Sequence, residues 1–297
     1  MKNLRFAISG KAFNKEHLPY LQELITLLQK HHGEVIFLQS YIKKIREVVD
    51  FYLETEIELF STYEEIKDNV NFLFSLGGDG SLLDTITLVR DSQIPIIGIN
   101  LGRMGFLASI QKDKIQEVVV SIIKKDFKLD HRSLLNLEDS ENSFGNLNFA
   151  LNEVSIHKKE NSSMITLKVW VNDQFLNSYW ADGLIVSTPT GSTGYSLSCN
   201  GPIICPDSQS FVITPIASHN LTVRPIVIPD TSVIRILVEG REKEYFVGLD
   251  SRSKLFDVPL ELVIRKELFN INLLQISTDN FFSTIRKKLL WGSDIRN

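Results

Sequence analysis

The period of the hydrophobic pattern changes once along this chain, and the change divides what it can build. In the first third, the short apolar runs "LRFAIS", "EVIFL", "VNFLFSL" and "IPIIGI" are separated by stretches such as "NKEHLPYLQELITLLQKHH", whose apolar residues recur at helical spacing. Strands alternating with helices call for a parallel sheet covered on both faces. Beyond "DKIQEVVVSIIKKD", itself at helical spacing, the pattern turns to alternation in "MITLKVWVND", "SYWADGLIVSTP", "FVITPIA", "SVIRILVEG", "EYFVGLDS" and "LELVIRK", with turn residues between them. The expectation is an α/β N-terminal domain with a parallel sheet over residues 1–105 and a mostly β domain over 106–272. A C-terminal helix over 273–297 follows. Its segment "DNFFSTIRKKLLWG" sets Phe281, Phe282, Ile285, Leu289 and Leu290 on or near one face, suited to docking back on the first domain.

Composition removes several classes of function. At 297 residues, 43% hydrophobic and 23% charged, the chain is globular and long enough for two domains. A formal net charge of -4 supplies no broad basic field, so no nucleic-acid partner is expected. Cys199 and Cys205 are too few for a disulfide framework and lack zinc-site spacing, and they read as free thiols. No segment approaches the roughly 20 apolar residues of a membrane helix, and the apolar run in "MKNLRFAISGK" is too short for a signal peptide. A cytoplasmic protein with no membrane partner is expected.

One passage joins strand to helix through an unusual turn. In "FLFSLGGDGSLLDTITL" the apolar run ends in Gly77, Gly78, Asp79 and Gly80 before a helical run opens. Such a turn at the carboxyl edge of a parallel sheet is where α/β proteins bind ligands. Glycines let backbone N–H groups approach an anion without a Cβ in the way, and the following helix N-terminus favours phosphate. The pattern is neither the G-x-x-x-x-G-K-[ST] loop nor G-x-G-x-x-G. Two readings of Asp79 stand side by side. It caps the helix at Ser81, or it carries a proton in phosphate chemistry, since a carboxylate beside phosphate oxygens is repelled unless a metal or a transferable proton gives it a role.

A second passage, "ADGLIVSTPTGSTGYSLSCNGPIICP", packs Asp182, seven serines and threonines, glycines and Tyr195 between a short buried strand and an opening helix. Small hydroxyl-bearing residues suit close backbone approach to a ribose and an amide, while a serine-rich surface loop is the plainer alternative. In "LNEVSIHK", Asn152 and Glu153 at a strand start either bond ligand hydroxyls or cap a turn. Arg224 reads first as a surface ion-pairing residue and second as a phosphate partner. His157 and His219 read as satisfied hydrogen-bonders.

Taken in order, "GGDGS", "NLGRMGFLA", "NE", "DGLIVSTPTGSTGYSLS" and "RPIVIP" resemble the motif set of the NAD kinases over roughly residues 74–252, and the Asp182 passage is the most specific part. "GGDG" alone also occurs in lipid kinases and 6-phosphofructokinases. The resemblance implies ATP as phosphoryl donor, NAD as acceptor, a divalent metal ion, Mg²⁺, with no ligand residues assigned, and a homodimer or homotetramer. It implies that Asp79 accepts the proton of the adenosine 2′-hydroxyl, with Gly77, Gly78 and Gly80 near the phosphates and Phe106 against the adenine. Asn152 and Glu153 are implied to hold ribose hydroxyls. Asp182 is implied to face the nicotinamide side, and Thr190, Thr193, Gly194, Tyr195 and Ser198 to line the dinucleotide site. Ser81 stands where threonine is common and Gly194 where alanine is common, and "GLDSR" resembles the family's corresponding stretch only loosely, which leaves Asp250 with little weight. No basic Walker lysine is visible, so Mg²⁺ and glycine N–H groups are expected to carry much of the phosphate charge. The competing functions are a diacylglycerol-type lipid kinase sharing "GGDG" and an NAD-binding sensor without turnover.

Overall fold

The computed structural model describes residues 3–52, 56–102, 104–159, 163–220, 222–240, 244–257, 259–276 and 280–292. Arg103 of "NLGRMGFLA", Asp279 of the tail segment and the first two residues of "MKNLRFAISGK" lie outside the described residues. The chain divides into two compact units, residues 1–131 with 271–297, and residues 132–270.

The first unit opens with strands β1 (Arg5–Gly10), β2 (Glu34–Leu38), β3 (Glu58–Phe60), β4 (Phe72–Gly77), β5 (Ile96–Asn100), β6 (Ile110–Gln111) and β7 (Lys128–Arg132). Between them lie helices α1 (Leu18–Lys30), α2 (Gln39–Val48), α3 (Tyr63–Ile66), α4 (Asp79–Val89) and α5 (Ile115–Lys124). The second unit carries β8 (Leu135–Asp139), β9 (Phe149–Ala150), β10 (Glu153–Lys158), β11 (Ile165–Val171), β12 (Gln174–Ala181), β13 (Gly183–Ser187), α6 (Tyr195–Ser198), β14 (Ser210–Ile216) and β15 (Ile226–Pro229). It closes with β16 (Ile234–Glu239), β17 (Glu244–Leu249), β18 (Arg252–Asp257) and β19 (Leu260–Lys266), after which β20 (Ile271–Gln275) and α7 (Phe281–Leu289) return to the first unit.

In the first unit the sheet runs β3-β2-β1-β4-β5-β20-β7, with β6 added beside β5. The pairings β2 to β3, β1 to β2, β1 to β4, β4 to β5 and β5 to β20 are parallel. The central strands are buried through their middles because helices cover them, which is why they read as continuous apolar runs. The chain winds outward from β1 to β3 and then resumes on the other side at β4. The gap between β1 and β4 is therefore the switch point of the sheet, with Gly10 and Gly77 at its two carboxyl ends.

The domain boundary expected at residue 105 falls instead at 131. The reason is that β6 pairs with β5, and the buried face of α5 (Ile115, Val118, Val119, Ile122) belongs to the same core as Phe6, Ile8, Leu21 and Phe74. The tail likewise begins with a strand rather than a helix. β20 lies between β5 and β7, where Asn272 Oδ1 accepts from His131 Nδ1–H at 2.7 Å and its Nδ2 donates to Gln93 O at 3.1 Å. In α7, capped by Asn280 accepting from Ser283 N–H, Thr284 and Ile285 are buried while Phe282 and Leu290 are exposed, so the packed face is narrower than the sequence suggests.

The second unit is built of two antiparallel six-stranded sheets, β15-β14-β13-β10-β17-β18 and β12-β11-β16-β19-β8-β9. Inward residues of both, among them Val154, Leu184, Leu167, Ile236 and Leu262, share one core. β11, β16 and β19 alternate buried and exposed as their sequences do. β13 is buried at every residue because it is central in its sheet. The chain is thus an α/β unit and a β unit, as its changing period requires.

Candidate functional site

In the first unit the glycine turn links β4 directly to α4 at the switch point. Gly77 adopts φ 140°, and a Cβ there would stand 2.2 Å from Ser81 Oγ, so the turn needs glycine. Cβ atoms on Gly78 and Gly80 would meet nothing within 4 Å, so the space beside the turn's backbone is open there. Beneath the turn Ser9 Oγ, Thr85 Oγ1 and Ser75 Oγ form a buried hydroxyl chain at 3.0 and 2.9 Å, which satisfies polar groups at the strand ends without any charge.

Asp79 is not the helix cap. Gly78 holds the N-cap position, Ser81 N–H donates to Gly78 O at 3.0 Å, and Asp79 is the first helical residue. Its carboxylate instead accepts three consecutive backbone N–H groups, Phe106 on Oδ2 at 2.8 Å and Leu107 and Ala108 on Oδ1 at 3.0 and 2.9 Å. Asn100, fully buried at the end of β5, braces the same loop by donating to Ala108 O and accepting from Gly102 N–H. The approach is so close that a Cβ on Gly105 would lie 1.8 Å from Asp79 Oδ1. Oδ1 receives two donors and Oδ2 one, so a lone pair of Oδ2 stays available. Phe106 is half-buried, and Lys288 Nζ, which donates to Met104 O, stands 5.3 Å from its ring centroid. Neither Gly105 nor Asn100 stood out in the sequence, because their importance comes from backbone that only the folded loop brings near Asp79.

The second unit gathers its motifs at one edge of a sheet. β10 pairs with β13 so that Glu153 faces Ser187, and with β17 so that Val154 faces Leu249. The residues just beyond these strands, Asn152, Thr188 and Asp250, therefore meet at the same end. Asp250 is buried and accepts N–H groups from Leu151, Asn152 and Glu153 at 2.8, 2.7 and 3.2 Å. The stretch given little weight in the sequence thus holds the Asn152–Glu153 turn in place. Gly191 is needed as well, since its Cβ would fall 2.0 Å from Asn152 O.

Glu153 Oε2 is buried without a hydrogen-bond partner, whereas the Tyr195 backbone N–H reaches the same carboxyl group. Burial, then the neighbouring Asp250 charge, pushes the Glu153 carboxyl up to about 8. Burial also raises Asp250, against the opposing pull of its three N–H donors and Arg252. A Cβ on Gly194 would come within 3.2 Å of that Oε2, so Gly194, Asn152 and Glu153 border one space. The Tyr195 ring stacks on His157, with centroids 5.4 Å apart and planes 18° apart. His157 is depressed by burial.

The remaining candidates are placed less simply. Thr190 is buried and its hydroxyl accepts from Arg132 Nη1 at 3.0 Å, while Thr193 donates to Thr190 O at 3.1 Å, so both hydroxyls serve the turn. Asp182 lies at the opposite end of β13, paired with Lys158 at 2.7 Å and roughly 16 Å along the strand from the Glu153 level at about 3.3 Å per residue. Ser198 is exposed at the end of α6. Arg224 donates to Val223 O, and Cys199 and Cys205 are free thiols. Among the described residues no three His, Cys, Asp or Glu side chains gather into a metal-holding group, and no helix is long and apolar enough to cross a membrane.

Comparison with known proteins covers both units. Residues 6–127 match the ATP-NAD kinase N-terminal domain and residues 151–264 the ATP-NAD kinase C-terminal domain. The NAD kinase of Christiangramia forsetii is 43% identical over 296 residues, covering 99% of this chain and 100% of that protein. Yeast NADH kinase complexed with NADH superposes with a TM-score of 0.85 at 23% identity, covering 99% of this chain and 89% of that one. An NAD kinase from Archaeoglobus fulgidus in complex with ATP gives 0.73 at 24% identity, covering 95% and 99%. At those identities the two structures speak for the fold.

Proposed function

The chain belongs to the ATP-NAD kinase family, and on that premise we propose how its residues divide the work of phosphorylating the adenosine 2′-hydroxyl of NAD with ATP to give NADP. The observation that carries the reading is the seat of Asp79. Three backbone donors orient its carboxylate on the glycine turn and leave one lone pair of Oδ2 for a proton. As the 2′-oxygen bonds to the γ-phosphorus, its proton passes to Asp79 Oδ2. The bond to the β–γ bridging oxygen breaks, and ADP leaves with the electron pair. Gly78 and Gly80 present N–H groups to the phosphates, and Phe106 packs against the adenine.

In the second unit Asn152 and Glu153 take ribose hydroxyls, the unpartnered Glu153 Oε2 finding its partner in the ligand, while Gly194 and Tyr195 border the dinucleotide and Asp182 serves its nicotinamide end. Thr190 and Thr193 act by shaping the turn that carries them, and Ser198 lies at its margin. Magnesium would be held with the phosphates of the donor, as is general for phosphoryl transfer. It supplies neutralisation of phosphate charge. The open edges of the β unit support assembly into a homodimer or homotetramer, and we place the enzyme in the cytoplasm. Neither alternative function, lipid kinase or silent sensor, is retained.

The test is NADP formation by purified protein from NAD, ATP and Mg²⁺. Turnover should vanish in EDTA and return with Mg²⁺ or Mn²⁺. Full turnover in chelator overturns the metal assignment, and no NADP under any of these conditions overturns the function.

A further inference from the structure

The last turn of α7 carries three consecutive cations, and one of them is out of place for a solvated face. Thr284 and Ile285 are the buried residues of this helix, and at about 100° of rotation per residue Lys288 falls almost midway between them in helical projection. That position ordinarily takes an apolar residue. Arg286 and Lys287 project to the other side of the helix, and they already supply its last turn with cations favourable to the helix dipole. The reach of Lys288 shows what it does instead.

Its Nζ donates to Met104 O at 2.6 Å and stands 5.3 Å from the centroid of the Phe106 ring. Both residues belong to the loop after β5. Buried Asn100 pins that loop from beneath at two points, accepting from Gly102 N–H at 2.8 Å and donating to Ala108 O at 3.1 Å. Met104 and Phe106 lie between those points, and Lys288, itself exposed, holds them from the solvent side. The N–H groups of Phe106, Leu107 and Ala108 are the donors that seat Asp79. Two interactions of one ammonium thus act on one short segment: the hydrogen bond fixes its backbone, and the cation over the ring fixes the aromatic side chain.

Resting on the kinase reading above, we propose that Lys288 is a positioning residue for the acceptor. It holds the Met104–Ala108 segment so that Phe106 keeps its place against the adenine and the three N–H groups keep the Asp79 carboxylate aimed at the 2′-hydroxyl. Lys288 acts through the loop rather than on a reacting atom. The C-terminal helix is thereby part of the acceptor site, although 184 positions separate Lys288 from Met104. The segment contains no residue of the glycine turn, so binding of ATP does not depend on it.

Lys288→Met keeps the aliphatic stem and removes the ammonium, and Lys287→Met removes the same charge from the same turn as a control. Relative to the control, Lys288→Met should lower kcat/KM for NAD about three- to tenfold, the scale of one exposed hydrogen bond with its cation–π contact. The loss should be divided between a lower kcat and a higher KM for NAD, while KM for ATP and the melting temperature stay at the control values. Hydrogen exchange at the Phe106, Leu107 and Ala108 amides should quicken severalfold, and Lys288→Arg should recover most of both effects. Kinetics equal to the control overturn the proposal, whatever the exchange rates do. So does a lower melting temperature with KM for ATP rising as much as KM for NAD, which would make Lys288 a fastener of the helix alone. If wild-type protein forms no NADP, the kinase reading is what fails. Exchange then decides the inference by itself: faster exchange of the three amides in Lys288→Met supports it, and equal exchange overturns it.

Discussion

At the scale of single residues, two carboxylates do the same thing in different units. Asp79 and Asp250 each grip three consecutive backbone N–H groups, one in each unit, and each thereby fixes a loop that carries ligand-facing residues. For Asp79 this changes what a conservative substitution does. Asparagine can keep its oxygen under Leu107 and Ala108 but must turn an NH₂ group toward the Phe106 N–H, so Asp79→Asn should lose about 1–3 kcal/mol of stability. Turnover should fall further than that, by about 10²–10⁴-fold or roughly 3–5.5 kcal/mol of barrier, when kcat is measured per folded molecule well below the melting temperature. A near-wild-type kcat of the folded fraction would leave Asp79 as a brace only. Glu153 offers a prediction of the other sign. Its carboxyl is lifted from the ordinary 4.5 to about 8, so between those values the folded protein binds a proton that the unfolded chain does not. Stability contributed by this site is therefore greatest in acid and is lost as pH rises through that window. Thermal melts should show Glu153→Gln gaining on wild type between pH 5 and pH 8.5. A constant difference would remove the buried carboxyl from the pH dependence. Asp250 keeps its own raised carboxyl in both proteins.

At the scale of elements, the turns decide more than the strands. Gly191 and Gly194 sit in one 3₁₀ turn and its exit, yet they answer to different constraints. Gly191→Ala would drive a Cβ into Asn152 O and should destabilise the second unit, whereas Gly194→Val projects toward Glu153 Oε2 and should raise KM for NAD with a loss of only about 1–3 kcal/mol. Melting curves beside NAD kinetics separate the two, and a collapse of stability in Gly194→Val would remove its ligand argument. These elements also show what the sequence carries. β1, β2, β4 and β5 are legible because a covered parallel strand is a solid apolar run, and β11, β16 and β19 because a half-covered strand alternates. β3 and β7 are not, being a three-residue strand and a polar one, "KLDHR", that ends its sheet. In the site, Asp79, Asn152, Glu153 and Gly194 are legible from residue type and turn chemistry. Asp250 and Gly105 are not, since each matters through backbone or strands that are distant in sequence.

At the scale of the whole molecule, the first unit is discontinuous: its sheet is completed by β20, which arrives after the entire second unit and inserts between β5 and β7. A chain ending at residue 270 should therefore leave β5 short of one neighbour and the terminal strand β7 cut off from the first unit's sheet, while residues 132–270 keep both of their sheets. Limited proteolysis of that shortened chain should spare the second unit and digest the first, and resistance of both would show that β20 is dispensable. Because domains ordinarily fold in the order in which they are synthesised, this topology inverts the order. The later-made β unit can close while the earlier-made glycine turn still waits on an open sheet, so the first unit is completed only after the second has been made, and a product interrupted before β20 has no finished sheet beneath that turn.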